Sequence, residues 1–510
     1  MKKVLVANRG EIACRVIHAL REAGIPSVAV ASEIDRDALH VRLADESVVI
    51  GPAPAVSSYL DVARVIDAAR STGADAVHPG YGFLAENAAF ASEVEAAGLV
   101  FIGPRPETLA LLGDKRRARA VAERVGVPVV PGWEGEAGDA DGAARAADAM
   151  GWPVIVKAAL GGGGKGMSLV HDARELKDAM EAAARLAASA FGDASVFVEK
   201  AILAARHVEV QILGDGLGDV VHVLERECSL QRRHQKVFEE SPSPALRPDT
   251  RRRLTDAATA IGRAVSYRSA GTCEFLLAED QSFYFLEVNA RIQVEHPVTE
   301  LVTGIDLVRA QLSVANGQGI GFAQADVVPR GVAVEARIYA EDPDHGFLPQ
   351  AGELLRVELP SAPWLRVDAG VRTGDAISTH YDPMIAKVIA WGNDRPSAWR
   401  RLSRALDAAV VHGPVTNLDF LRELAAHPDV VAGRYHTKSI EETFLPERTR
   451  RLAERGVELF AVAAAIAERL RLGADTAATT ARSPDGVAVA PDPFATIARW
   501  RHPGLRGGGS

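Results

Sequence analysis

The sequence predicts an α/β protein of several domains that opens on a parallel sheet covered by helices on both faces. Two patterns carry this. Over the first hundred residues, short apolar runs alternate with stretches of helical spacing. Beyond residue 200 the runs turn to a polar–apolar alternation, as in antiparallel strands with one covered face. The length of 510 residues, at about 100 to 200 per domain, allows about three to five domains. A composition of 47% hydrophobic and 25% charged residues excludes wholesale disorder.

Val4-Leu5-Val6-Ala7 reads as a buried strand, and residues 11–23 as a helix stopped at Gly24. Strands follow at 28–30, 76–77 and 100–102, with helices at 59–71 and 87–97 between them. No G-x-G-x-x-G follows the first strand, only Asn8-Arg9-Gly10, so a dinucleotide site is not indicated. The turn His78-Pro79-Gly80-Tyr81-Gly82-Phe83 lies at the carboxyl end of a strand, where a tight loop and a ligand contact are both open readings. Residues 114–199 centre on the strand Trp152-Pro153-Val154-Ile155-Val156-Lys157 and the run Gly161-Gly162-Gly163-Gly164-Lys165-Gly166-Met167. Further strands are expected at 207–213, 220–224, 272–277, 283–289, 334–339 and 385–391. An amphipathic helix over 450–472 and a linker over 474–493 complete the pattern.

Charge and cysteine usage narrow the function. Lys plus Arg number 58 against 67 for Asp plus Glu, a net charge of -9, which offers no broad basic footprint for nucleic acid or acidic lipid. The three cysteines, Cys14, Cys228 and Cys273, are too scattered for a disulfide framework or a cysteine metal site. They fit a reducing cytoplasm. Met1-Lys2-Lys3 leads into only four apolar residues, short of a signal peptide. The longest apolar run, 460–467, falls short of the about 20 residues of a membrane span. A cytoplasmic protein is expected.

The glycine run is not a Walker A loop, because Gly166-Met167 stands where Lys-Ser/Thr belongs. Its backbone N–H groups can still close around anionic oxygens. Lys157 just before it and Lys115 at the start of an earlier helix suit nucleotide phosphates. Glu274 and Glu287 fall on two strands of one expected hairpin, and Asn289 shares the face of Glu287. Oxygen ligands of this kind suit Mg²⁺ or Mn²⁺. Next come Arg291, Gln293, Glu295 and His296, a cation, an amide, a carboxylate and an imidazole able to bind a small anion and take its proton. The cluster Gln231-Arg232-Arg233-His234-Gln235-Lys236 reads either as a solvated loop or, beside an acidic metal centre, as an anion-binding group.

Residues 1–446 resemble biotin carboxylase, a family of the ATP-grasp superfamily. The resemblance rests on Ala7-Asn8-Arg9-Gly10-Glu11-Ile12-Ala13, His78-Pro79-Gly80-Tyr81-Gly82-Phe83-Leu84 and the glycine loop. It extends through Glu225-Arg226-Glu227-Cys228-Ser229-Leu230-Gln231-Arg232-Arg233-His234-Gln235-Lys236 and Arg291-Ile292-Gln293-Val294-Glu295-His296-Pro297. It implies a Rossmann-like domain (1–113), an ATP-grasp domain (114–330, with a mobile glycine-rich lid at about 130–203), a mixed C-terminal domain (331–446) and a helical tail (447–510).

It further implies that Lys115, Lys157, Gly163, Gly164 and His234 hold the phosphates or ribose of ATP. Glu199, Lys200 and Ile202 would flank adenine, and His207 and Gln231 line the same site. Glu274, Glu287 and Asn289 would bind two divalent ions. Lys236, Arg291, Gln293 and Val294 would hold bicarbonate, Glu295 would be its general base, and Arg337 would stabilise the biotin enolate. Leu160, Lys165 and Ala290 replace glycine, arginine and threonine of many relatives and remove no functional group.

The reaction implied is ATP-dependent carboxylation of biotin through carboxyphosphate. Another ATP-grasp ligase, such as a carbamoyl phosphate synthetase, need not keep Arg291, Glu295 and Arg337 together, and a non-catalytic nucleotide-binding subunit need not keep the whole set. The tail is similar to the segment after the carboxylase domain in acyl-CoA carboxylase alpha subunits; a pyruvate carboxylase component is the alternative. No Ala-Met-Lys-Met and no carboxyltransferase region occur. Either the chain is truncated, or it works on biotin held by a separate biotin carboxyl carrier protein, with a separate carboxyltransferase subunit. A homodimer is expected, without nucleic acid or membrane as partner.

Overall fold

A computed structural model describes residues 1–454 except 137, 159–167 and 192–194, together with 466. The glycine loop, including Gly163 and Gly164, lies outside the described residues, as do most of the expected helix over 450–472 and the linker over 474–493. Residues 1–440 cluster as one unit, and 441–510 as a second whose described part, 441–454 and 466, is helical.

The N-terminal apolar runs form a five-stranded parallel sheet of β1 (Val4–Val6), β2 (Ser27–Ser32), β3 (Glu46–Gly51), β4 (Ala76–His78) and β5 (Val100–Phe101), in the order β3-β2-β1-β4-β5. Parallel strands need crossovers, and the helices Gly10–Glu22, Val62–Thr72 and Ala88–Ala96 supply them. The strand order reverses between β1 and β4. There Asn8 Nδ2 donates to the carbonyls of Pro79 at 2.8 Å and Tyr81 at 2.7 Å. Gly80 has a φ of +63°, and a Cβ there would meet Asn8 Nδ2 at 2.8 Å, so only glycine lets the two loops join.

Strands β6 (Gly132–Glu136), β7 (Val154–Ala158), β8 (Ser168–Val170) and β9 (Ser195–Lys200) make an antiparallel sheet in the order β6-β9-β7-β8. The helices Ala140–Met150 and Ala173–Phe191 pack on it around Val154, Val156, Met180, Val196 and Val198, a core of its own.

The largest element is an eight-stranded sheet. It contains β10 (Arg206–Asp215), β11 (Val220–Arg232), β12 (Gln235–Ser241), β13 (Arg268–Leu277), β14 (Phe283–Asn289) and β15 (Val332–Tyr339), with the strands Leu365–Ala369 and Met384–Gly392. Their order is β14-β13-β10-β11-β12-β15, then Met384–Gly392, then Leu365–Ala369. The sheet is continuous across residue 330. Two details differ from the sequence reading. The cluster 231–236 is not a loop: β11 runs on to Arg232, Arg233 and His234 turn with φ of +45° and +67°, and β12 starts at Gln235. The expected one-sided exposure is also absent, since both faces are covered. The helix Pro248–Ala264 packs Leu254, Ala258 and Ile261 on the apolar face, and the helix His296–Thr303 packs on the other. The second face can be buried because most of its charges pair with one another, while burial pushes the Glu335 carboxyl up towards its neutral form. Among the described residues no helix is long and apolar enough to cross a membrane.

Candidate active site

Strand register puts a row of charges on that second face. Glu287 lies opposite Glu274, Glu274 opposite Glu209, and Glu209 opposite Arg226. Glu239 lies opposite Glu335, Arg337 opposite Lys387, and Lys387 opposite Asp368. Every strand of the sheet contributes. The even spacing of Glu335 and Arg337 keeps both on one face of β15.

Lys236 is the hub. Its ammonium donates to Glu295 Oε1 at 2.5 Å, Glu209 Oε2 at 2.6 Å and Glu274 Oε1 at 3.1 Å. Burial lowers its proton affinity, but Cys228 and these three carboxylates raise it further, so it stays well above the usual lysine range. Glu295 caps the helix His296–Thr303, with Pro297 in its first turn, so the helix N-terminus adds its positive end to the site. Its second oxygen accepts from Arg337 Nη2 at 2.9 Å, and the same nitrogen pairs with Glu239 Oε1 at 2.5 Å. Burial raises the Glu295 carboxyl, but Lys236, Arg337 and Arg226 outweigh it and hold it well below the carboxylate range. A fully buried Glu295 is therefore ionised, the form a base requires.

The expected metal ligands come together on one face. Glu274 and Glu287 are cross-strand neighbours, and Asn289 Nδ2 donates to Glu274 Oε1 at 2.8 Å. Lys115 pairs with Glu287 at 2.8 Å, and His207 Nε2 with Glu274 at 3.0 Å. Burial raises Glu274, yet Lys236 and His207 carry it well below the usual range. Gln293 Nε2 reaches the same Glu274 oxygen at 3.1 Å. This set of hard oxygens on neighbouring strands fits Mg²⁺ or Mn²⁺.

Lys157 pairs with Glu199 at 2.6 Å across β7 and β9. Lys200 donates to the carbonyls of Gly151 and Trp152 at 2.8 and 3.1 Å. Ile202 is half-buried, Gln231 is buried near the end of β11, and His234 is exposed at the hairpin turn. The Val294 carbonyl accepts from Lys387 Nζ at 2.8 Å.

Seven residues absent from the sequence reading of the site belong to it. Glu86 accepts from Arg291 Nε at 2.9 Å and from the Ala290 N–H at 3.0 Å. Arg226, fully buried, donates to Glu209 at 2.5 Å, Gln211 at 2.7 Å, and Thr272 and Thr299 at 3.0 Å. Glu209, Glu239, Glu335, Lys387 and Asp368 complete the row. A charge inside a Val/Ile run, as in Val208-Glu209-Val210 or Ile385-Ala386-Lys387-Val388-Ile389, is the signal that could have found two of them. Cys228 and Cys273 are buried packing residues whose thiols burial pushes up.

Burial pushes the Glu239 carboxyl up to about 7, with Arg337 opposing and Glu295 reinforcing. Between the unfolded value of 4.5 and that value the folded state binds more protons, so stability falls as pH rises through this window. Urea midpoints at about pH 5 and about pH 8 should therefore differ less for Glu239→Gln than for the unchanged protein. An equal drop in both would overturn the assignment.

Family models match this architecture in three segments: "Biotin carboxylase, N-terminal domain" over residues 1–109, "Carbamoyl-phosphate synthase L chain, ATP binding domain" over 114–322, and "Biotin carboxylase C-terminal domain" over 335–442. The chain belongs to the biotin carboxylase family. Members of that family are ATP-dependent ligases. The chain is 47% identical over 441 residues to methylcrotonoyl-CoA carboxylase subunit alpha, mitochondrial, of Mus musculus, covering 86% of this chain and 62% of that one. It is 44% identical over 503 residues to the propionyl-CoA carboxylase alpha chain, mitochondrial, of the same species, covering 98% and 68%. It thus spans about two thirds or less of the length of these relatives. Both are mitochondrial by name, unlike the cytoplasmic expectation.

Among solved structures, the biotin carboxylase domain dimer of Hydrogenobacter thermophilus 2-oxoglutarate carboxylase, in complex with MgADP, ADP and bicarbonate, has a TM-score of 0.81 and 43% identity, covering 86% of this chain and 97% of that one. A biotin carboxylase complex with β-γ-ATP from Campylobacter jejuni has a TM-score of 0.80 and 41% identity, covering 86% and 98%.

Proposed function

We propose that this chain carboxylates biotin at N1′ on a biotin carboxyl carrier protein, using ATP and bicarbonate, as the biotin carboxylase component of an acyl-CoA carboxylase. The observation that carries the reading is the bridge Lys236–Glu295–Arg337, an ionised carboxylate between two buried cations beside the Glu274–Glu287 pair. The residues fit two divalent ions at Glu274, Glu287 and Asn289, and Mg²⁺ or Mn²⁺ bound there neutralises charge on the phosphates of ATP.

Lys115 and Lys157, with Gly163, Gly164 and His234, hold the phosphates or ribose; Glu199, Lys200 and Ile202 flank adenine, and His207 and Gln231 line the same pocket. Lys236, Arg291, Gln293 and Val294 hold bicarbonate. An anion arriving at Lys236 draws that cation from Glu295, whose proton affinity then rises, and Glu295 takes the bicarbonate proton. The oxyanion attacks the γ-phosphorus, giving carboxyphosphate and ADP. Carboxyphosphate breaks to carbon dioxide and phosphate, the phosphate takes the N1′ proton, and Arg337 offsets the enolate charge while N1′ attacks carbon dioxide.

A match over 98% of the chain to a propionyl-CoA carboxylase alpha chain supports the acyl-CoA reading and, with it, a partner carboxyltransferase subunit. The dimeric relative supports a homodimer. The biotin carboxylase subunit of pyruvate carboxylase, at 43% identity and a TM-score of 0.77, favours the second reading. Bicarbonate-dependent ADP release, titrated with free biotin, tests the proposal. Biotin should accelerate it, and Arg337→Ala should abolish that acceleration while leaving slow ADP release. Release indifferent to biotin in the unchanged protein overturns the biotin half.

A further inference from the structure

Two motifs, Ala7–Ala13 and His78–Leu84, take no part in the steps above. They meet at the strand-order reversal, where Asn8 binds the Pro79 and Tyr81 carbonyls. From that junction a chain of contacts leads to the proposed bicarbonate segment. The Tyr81 hydroxyl donates to Glu11, in the first turn of the helix Gly10–Glu22. The second Glu11 oxygen pairs with Lys387 Nζ at 3.1 Å. Lys387 in turn donates to the Val294 carbonyl at 2.8 Å, one residue before Glu295.

Lys387 is wholly buried, and Glu11 nearly so at 5% exposure. An ammonium with no access to water needs its partners in place. Asp368, at 3.7 Å, is a further acid beside it. Burial lowers the proton affinity of Lys387, but Glu11, Glu335 and Asp368 more than restore it, so the charge persists. The Nζ reaches none of Glu274, Glu295 or Lys236. Its one polar contact with the anion segment is the Val294 carbonyl.

We infer that Lys387 is a positioning residue: its ammonium, tethered by Glu11 and Tyr81, fixes the Val294 carbonyl and so sets the segment that holds the small anion. The inference deepens the proposed function and rests on its assignment of Val294 to bicarbonate. The other end of the segment is held independently, by Glu86 on Ala290 and Arg291, so losing the Lys387 anchor loosens the Val294 end rather than releasing the whole segment.

The test is ADP release by the full chain with MgATP and varied bicarbonate, for the unchanged protein, Lys387→Met, Lys387→Arg, Glu11→Gln and the Lys387→Met/Glu11→Gln pair. Lys387→Met should raise KM for bicarbonate about tenfold, the worth of one charge-assisted hydrogen bond, and leave KM for ATP within about twofold. Lys387→Arg should recover part of the loss. The double variant should be no worse than Lys387→Met, because Glu11 acts through the lysine.

If Lys387→Met does not fold, Glu11→Gln alone carries the test and should raise KM for bicarbonate about threefold. A folded variant with unchanged KM for bicarbonate, or with both KM values raised equally, overturns the inference. Unchanged protein without any bicarbonate dependence overturns the proposed function instead, and the inference with it.

Discussion

On the proposed role of Glu295 as general base, Glu295→Gln should lower bicarbonate-dependent ADP release by about 10²- to 10⁴-fold, the range spanned by a positioned base. The amide keeps the size and the acceptor oxygen of the carboxylate but can take no proton. It also leaves Lys236 with Glu209 and Glu274, so the site stays folded. The loss therefore falls on turnover, with KM for ATP changing little, and steady-state ADP release at saturating ATP measures it. Turnover within about tenfold of the unchanged protein would remove Glu295 from the role of base.

Arg226→Met is the largest stability loss expected from a single change on this face. The guanidinium is fully buried, and its Nε is on Glu209 at 2.5 Å. Methionine fills much of the volume but takes one of two cations from the buried Glu209 carboxylate, leaving it Lys236 alone, at a cost of about 3 kcal/mol, the low end for breaking a buried pair. The Thr272, Thr299 and Gln211 acceptors lose a donor as well. Urea unfolding should show the lower midpoint, and Arg226→Met/Glu209→Gln should recover part of it by removing the under-compensated carboxylate. A double variant no more stable than the single one would mean that packing, not the ion pair, decides the loss.

The sequence resolves those parts of the site that obey a simple period. Glu274 and Glu287 could be placed on one face because β13 and β14 pair in an antiparallel hairpin, and Asn289 followed from its spacing. Lys236 could not. The register of β11 on β12 shifts between Glu227 and Leu230 and again between Leu230 and Gln231, and each shift changes which residues share a face. A period-two count across Gln231 to Lys236 therefore carries no face assignment. Arg226 and Glu209 are 17 residues apart, Glu209 between two valines and Arg226 between Glu225 and Glu227, so only the strand pairing makes them partners. The parallel N-terminal sheet was legible from its alternation of strand and helix. The joining of β15 to β12 was not, because it pairs strands separated by three helices and two other strands.

The row of charges across all eight strands has a kinetic corollary. Lys236 touches three carboxylates and Arg337 two, so no member gains or loses a proton without changing the proton affinity of the next. Protons then leave in macroscopic steps that belong to the set. The limbs of a pH–rate profile will report the sheet face as one polyprotic acid, and substitutions as far apart as Glu209 and Glu335 will displace the same limb.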